Sequence, residues 1–134
     1  MHVPVQVDYG VRALIDLAEN SLQGDIQAAD IAKRQQIPEQ FLAQVLHNLN
    51  KYGVTTSRRG PHGGHRLAIK PSNITMGYVM RTLGNNSHTV SCLENQSKCQ
   101  KSPKCTQKNI WSQVEKAVNK ILDSTTIADL INQN

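Results

Sequence analysis

Between Ala28 and Ile69 the chain carries two short apolar-striped helical segments, a tight turn, and a glycine-dense reversal between two β-prone runs. That order constrains the fold more than any other feature. Ala28–Gln35 reads as a helix with Ala29, Ile31 and Ala32 turned inward. Gln36-Ile37-Pro38 ends it, because the residue before a proline is pushed out of helical geometry. Glu39–Lys51 follows, with Leu42, Val45, Leu46 and Leu49 at the i, i+3, i+4, i+7 spacing of one buried face, and Gly53 stops it. Two short helices joined in this way form a helix-turn-helix. Val54–Arg59 is rich in β-branched and hydroxyl side chains. Gly60-Pro61-His62-Gly63-Gly64 turns the chain, and His65–Ile69 alternates with Leu67 and Ile69 on one face. The expectation is a helix-turn-helix followed directly by a β-hairpin wing.

The flanks add helices. Tyr9–Glu19 is expected to bury Val11, Leu14, Ile15 and Ala18, with Asp8 as a plausible cap. Thr75 caps a helix carrying Met76, Val79, Met80 and Leu83, closed at Gly84. A polar segment without period follows, and then a long helix from Lys108 to Asp123. That helix carries Ile110, Trp111, Val114, Ala117, Val118, Ile121 and Leu122, and Thr126 caps a short tail helix with Ile127, Leu130 and Ile131. The expected fold is mainly α: a winged helix-turn-helix with a small β-hairpin and a long C-terminal dimerisation helix. Residues 1–84 form the DNA-binding domain in this reading, 85–107 a cysteine-bearing loop, and 108–134 the dimerisation helix and tail. The long apolar stripe arrives after the winged helix already has a core, so a twofold partner is expected to cover it.

Charge points to the partner. The 134 residues hold 15 Lys+Arg against 10 Asp+Glu, a net charge of +5. From Gln40 to Leu93 there is no acid, while Lys51, Arg58, Arg59, Arg66, Lys70 and Arg81 fall there with His47, His62, His65 and His88. A long acid-free stretch suits a surface that meets phosphates, where each contact releases counterions. Hydrophobic residues at 38% with aromatics at 4% support a thin but real core, and charged residues at 19% are too few for a disordered tail or a coiled-coil rod. No run approaches the roughly 18 apolar residues of a membrane span, and Met1–Gly10 lacks the pattern of a signal peptide. A cytoplasmic protein that does not engage a membrane is expected.

Candidate contacts follow from the faces. Opposite the buried stripe of Glu39–Lys51 lie Glu39, Gln40, Ala43, Gln44, His47 and Asn48. Amides at 40, 44 and 48 lie one above another, and Gln or Asn can pair bidentately with adenine in the major groove. Arg58-Arg59-Gly60, with His62 across the turn, sets guanidinium groups on a slender projection with no acid nearby. Such a wing can lie along phosphates or place an arginine in a narrow minor groove. The plainer alternatives are a solvated helix face and a simple surface turn.

Cys92, Cys99 and Cys105 fall in one short segment with C-x6-C-x5-C spacing. An odd count without an export signal argues for reduced thiols rather than structural disulfides. Lys98, Lys101, Lys104 and Lys108 surround them and favour thiolates. A zinc site or an iron–sulfur cluster wants four ligands, so the fourth must come from elsewhere or stay open. Asp8 and His88 are the candidates; helix capping competes for Asp8, and a plain loop position is the favoured reading of His88. No catalytic pair, phosphate-binding loop or cofactor fingerprint is present, which argues against an enzyme.

Asp8-Tyr9-Gly10-Val11-Arg12-Ala13-Leu14-Ile15, the Arg59-Gly60-Pro61-x-Gly63-Gly64 wing and Cys99-Gln100…Lys104-Cys105…Trp111 resemble the Rrf-two family of winged-helix regulators, which includes IscR, NsrR and RirA. The resemblance covers nearly the whole chain. It implies a homodimer crossed through the long helix, bound to double-stranded operator DNA, with an iron–sulfur cluster of two or four irons on the cysteine loop near the dimer interface. Members mostly repress, and some activate, genes for cluster assembly, iron homeostasis or nitrosative stress. The departures are informative. IscR-type members supply a histidine three residues after the last cysteine, where this chain has Lys108. NsrR-type members use an aspartate near the amino terminus of the partner subunit, and Asp8 stands at the matching place. Ala43 occupies the position of the base-reading glutamate of IscR-type recognition helices, so their operator preference does not carry over. The first cysteine gap is one residue longer than in IscR-type members. The expected function is a cluster-dependent transcriptional regulator, a repressor, sensing iron, cluster, redox or nitric oxide status. Alternatives are a cluster-free thiol-redox or zinc-stabilised DNA binder, and a protein-interaction module with a degenerate winged helix.

Overall fold

The structure, a computed structural model, describes residues 2–84 and 106–133. Cys92, Cys99, Cys105 and His88 lie outside the described residues. Helix α1 (Val5–Glu19) starts earlier than the stripe at Val11 suggests. Pro4 is its cap: φ is −60° and ψ 146°, and its carbonyl accepts the amides of Val7 at 3.0 Å and Asp8 at 3.2 Å. Asp8 is therefore not the cap but lies inside the first turn, because Val5 and Val7 extend the apolar pattern toward the amino terminus. The deepest face of α1 runs through Val7, Gly10, Ala13, Leu14 and Leu17, while Val11, Ile15 and Ala18 flank it half-buried. The stripe is broader than one helix face because α1 packs against helices on several sides.

Helix α2 (Ala28–Gln35) ends at Gln36, which takes the left-handed conformation at φ 55° and ψ 47°. The Ile37 amide donates to the Ala32 carbonyl at 3.0 Å, and Pro38 caps α3 (Glu39–Lys51). Ile31 and Ala32 are buried as expected, but Ala29 is exposed and Ala28 packs in its place. Strands β1 (Thr55–Arg58) and β2 (Gly64–Leu67) pair antiparallel, with Thr55 opposite Leu67 and Arg58 opposite Gly64. Arg59 falls in the turn rather than on the strand. A third extended piece joins them: Ile26 and His65 exchange backbone hydrogen bonds of 2.9 and 2.7 Å. Gly64, at φ 151°, permits this approach, since a Cβ there would sit 2.5 Å from the Ile26 carbonyl.

Helix α4 (Met76–Leu83) is capped by Thr75, whose hydroxyl accepts the Tyr78 amide at 3.1 Å. Helix α5 (Lys108–Ser124) leads into α6 (Ile127–Asn132), which opens on a reciprocal cap between Thr126 and Asp129. The C-terminal tail returns to the core. Met76 donates to the Thr125 carbonyl at 2.8 Å, Ile127 donates to the Ile74 carbonyl at 2.9 Å, and the Ile127 side chain is fully buried. Leu14, Leu17, Ile31, Leu42, Leu46, Leu49, Ile74 and Val79 complete that core with almost no exposure. Each such side chain contributes about 1.5–3 kcal/mol by burial, an upper figure for an extended reference chain. The exception is α5, where Ile110, Trp111, Val114 and Ile121 are all exposed at helical spacing. No helix among the described residues is long and apolar enough to cross a membrane.

Candidate nucleic-acid interface

With Leu42, Val45, Leu46 and Leu49 locked inward, α3 presents Gln40, Ala43, Gln44 and His47 outward, with Asn48 half-buried at the end of that row. Ionic and polar contacts fix where this face stands. Asp16, buried on α1, accepts Arg34 Nε and Nη2 at 2.9 and 2.8 Å and Gln35 Nε2 at 3.1 Å. A bidentate guanidinium–carboxylate pair fixes orientation as well as distance, so the end of α2 is registered on α1. Arg12 adds a second tie, donating from Nη1 to the Gln35 carbonyl at 3.2 Å. Its other nitrogens hold Asp8, at 3.2 Å to Oδ1 and 2.9 Å to Oδ2. Tyr9 lies beneath the Arg12 guanidinium at 5.7 Å and meets the ring of Phe41, tilted, at 6.3 Å. Phe41 is an exposed aromatic in the first turn of α3, absent from the contacts expected from sequence. Its signal was an apolar residue off the 42, 45, 46, 49 face.

The wing is rooted in the end of α3. The Val54 amide donates to the Leu49 carbonyl at 3.0 Å, the Ala68 amide to the Val54 carbonyl at 2.9 Å, and the Thr55 hydroxyl bonds the Asn50 side chain. At the tip, the Gly63 amide donates to the Gly60 carbonyl at 3.0 Å, and a Cβ on Gly63 would collide with the Arg58 carbonyl. Arg59, Gly60 and His62 are exposed there, and Arg59 has no ion-pair partner among the described residues.

Arg58 differs from its neighbour, and the expectation of no acid nearby is overturned. Asp25, just before α2, accepts from Arg66 Nε and stands 3.6 Å from Arg58 Nε. Its side chain is only 5% exposed. The Arg66 hydrogen bond holds the Asp25 carboxyl below its ordinary pKa against partial desolvation, with the charges of Arg66, Arg58 and His65 adding to the effect. Asp25 lies outside the acid-free stretch, and the backbone bridge between Ile26 and His65 brings it to the wing. His65 itself has a buried Nδ1 with no hydrogen-bond partner among the described residues. Burial pushes its pKa down, and the Asp25 charge opposes this.

Of the candidate metal ligands, Asp8 alone is among the described residues. Its side chain is 42% exposed and stands in the wall of an open apolar groove with Val3, Val5, Val11 and Met76. Among the described residues no three His, Cys, Asp or Glu side chains gather closely enough to hold a metal ion.

Comparison with known proteins bears on this geometry. Residues 4–133 match the Rrf2 family, described as iron-dependent transcriptional regulators. Protein rrf2 of Nitratidesulfovibrio vulgaris is 34% identical over 131 residues, covering 98% of this chain and 87% of that protein. The transcriptional regulator IscR of Aliivibrio salmonicida is 31% identical over 126 residues, 94% of this chain and 74% of its own. Among solved structures, T. potens IscR superposes with a TM-score of 0.80 at 32% identity, covering 99% of this chain and 88% of that one. CymR, the global cysteine regulator of B. subtilis, superposes at 0.82 with 28% identity, covering 100% and 98%. Sequence and structure agree over nearly the whole chain, which therefore belongs to the Rrf2 family of winged-helix transcriptional regulators, proteins that act on DNA and are not enzymes.

Proposed function

We propose that this regulator binds double-stranded operator DNA in the cytoplasm as a homodimer and represses transcription, with its affinity set by an iron–sulfur cluster. The observation that carries the DNA contact is the pairing of an outward amide face, Gln40 and Gln44, with an exposed Arg59, without an ion-pair partner among the described residues, on a wing rooted in the same helix. Amides on α3 suit base edges in the major groove, with His47 and Asn48 further along the face. Arg59, beside Gly60 and His62, suits the adjacent minor groove, and Arg58 the backbone. The exposed face of α5 supports the dimer, since Ile110, Trp111, Val114 and Ile121 form a stripe that a second copy would cover. In this reading residues 1–84 bind DNA, 85–107 hold the cluster and 108–134 make the dimer.

Cys92, Cys99 and Cys105 would hold the cluster, and three lysine-flanked thiols are the soft anionic ligands it takes. Asp8 of the partner subunit suits the fourth position: a carboxylate this exposed keeps lone pairs beyond those given to Arg12. When bound, the cluster would supply an iron centre that responds to iron supply, oxygen or nitric oxide. Arg12 gives the Asp8 carboxylate its other partner and at the same time anchors the Gln35 carbonyl. A change in what Asp8 binds therefore reaches the helix-turn-helix through one side chain.

A second reading, a cluster-free thiol-responsive regulator, is favoured by Lys108 at the IscR-type histidine position and by the likeness to a cysteine regulator. Anaerobic purification separates the two. Brown protein with iron and acid-labile sulfide supports the cluster; colourless protein whose operator affinity follows thiol oxidation supports the second reading.

A further inference from the structure

Asp25 is held both through its backbone neighbours and through its carboxylate. Its neighbours in the chain are Gly24, at φ 81°, and Ile26, whose backbone pairs with His65 in both directions. That backbone bridge fixes the segment without help from the carboxylate. The carboxylate meets two guanidinium groups, one from each strand of the wing: Arg66 on β2 and Arg58 on β1. The strand register explains the convergence. Arg58 faces Gly64, and Arg66 is two residues further along β2, so the two arginines share one face with no side chain at position 64 between them. The gap left by Gly64 is where the Asp25–Ile26 backbone runs. Both arginines still reach solvent, at 70% and 51% side-chain exposure, whereas Asp25 does not.

We propose that Asp25 is an internal counter-anion of the wing: it engages Arg58 and Arg66, limits their contact with DNA phosphates, and so leaves Arg59 as the wing's principal DNA contact. An anchor for the wing is already present in the Ile26–His65 bridge, the Leu49–Val54 bond and the β1–β2 ladder. What Asp25 adds is charge. It cancels one of two positive charges on a surface whose affinity for any duplex rises with each phosphate it neutralises. With Asp25 in place, sequence-independent attraction falls and the groove contact of Arg59 carries more of the binding.

The proposal rests on the wing facing DNA, and the test separates the two. Full-length protein is titrated into random-sequence and operator duplexes over a range of salt concentrations. Asp25→Asn and Asp25→Ser are expected to bind random duplex about three- to tenfold more tightly at low salt, and the slope of log affinity against log salt is expected to steepen by about 0.9 for each subunit that contacts DNA, about 1.8 for a dimer. Asp25→Glu restores the charge and should return the slope to the wild-type value. Adding Arg66→Gln to Asp25→Asn should do the same, because one cation is removed with the anion. Arg59→Ala checks the underlying reading: if it weakens operator binding, the wing meets DNA whatever Asp25 does. Neutral variants with wild-type slope and affinity, or with weaker binding, overturn the proposal. So does loss of the fold in both neutral variants, which would make Asp25 a structural anchor.

Discussion

Arg12 grips both oxygens of Asp8, at 2.9 and 3.2 Å. The same guanidinium donates to the Gln35 carbonyl at 3.2 Å, so the first turn of α1 is joined to the end of α2 through a single side chain. The pair is half-exposed, and an exposed i, i+4 pair of this kind stabilises a fold by only about 0.5 kcal/mol. Its contribution is connection rather than stability. Arg12→Ala is accordingly expected to shift the urea midpoint slightly, while reducing the difference in operator affinity between cluster-loaded and cluster-free protein. Anisotropy titrations of both forms check it, and an unchanged difference would place the coupling elsewhere.

Arg59→Ala is expected to weaken operator binding by about 1–3 kcal/mol. Gln44→Ala should instead alter base preference and leave non-specific binding nearly intact. Competition against a set of single-base operator variants distinguishes the two effects. Wild-type behaviour in both mutants would mean that the recognition surface lies elsewhere.

The stripe on α5 predicts a dimer that fails when charged. Trp111→Glu and Ile121→Glu alter side chains that are exposed in the single chain, so the fold should survive while light scattering reports a monomer. Operator affinity should fall with them, because two half-sites no longer act together. A wild-type protein that is monomeric at micromolar concentration rules this interface out.

His65 gives the fold an acid-sensitive position. Its folded pKa lies below the ordinary 6.5, chiefly through desolvation, with the Asp25 charge opposing. The unfolded chain therefore takes up the proton first, and stability falls as pH drops through 6.5 toward the lowered value. Asp25 works in the same direction but only below its ordinary 3.8. Between those limits the loss attributable to His65 is at most about 1.4 kcal/mol per pH unit, and His65→Gln should remove it from a series of urea unfolding curves. A variant whose stability still falls identically with acid would show that another group is responsible.

How much of this was legible in the sequence depended on how local each cause is. The bounds of α2 and α3 follow from Gln36 and Pro38, and the wing follows from its glycines, since a turn writes its requirement into adjacent residues. The start of α1 is not legible in the sequence because Asp8 resembles a cap, whereas the helix opens at Pro4 and already contains two valines before Asp8. Asp25 was invisible as a wing residue. A single β-branched neighbour carries no periodicity, and its partner Arg66 lies 41 residues away. The tie between Asp16 and the pair Arg34 and Gln35 was equally non-local, a buried acid whose partners come from the next helix.

The most direct test is operator affinity measured anaerobically on one preparation before and after its iron is removed, beside single Cys92→Ala, Cys99→Ala and Cys105→Ala variants. Iron and acid-labile sulfide are expected in the wild type and lost in each variant, and operator affinity is expected to change at least about tenfold with the cluster, a coupling of about 1.4 kcal/mol. An iron-free anaerobic preparation whose operator affinity is the same after cluster reconstitution, and the same in the three variants, would contradict this expectation.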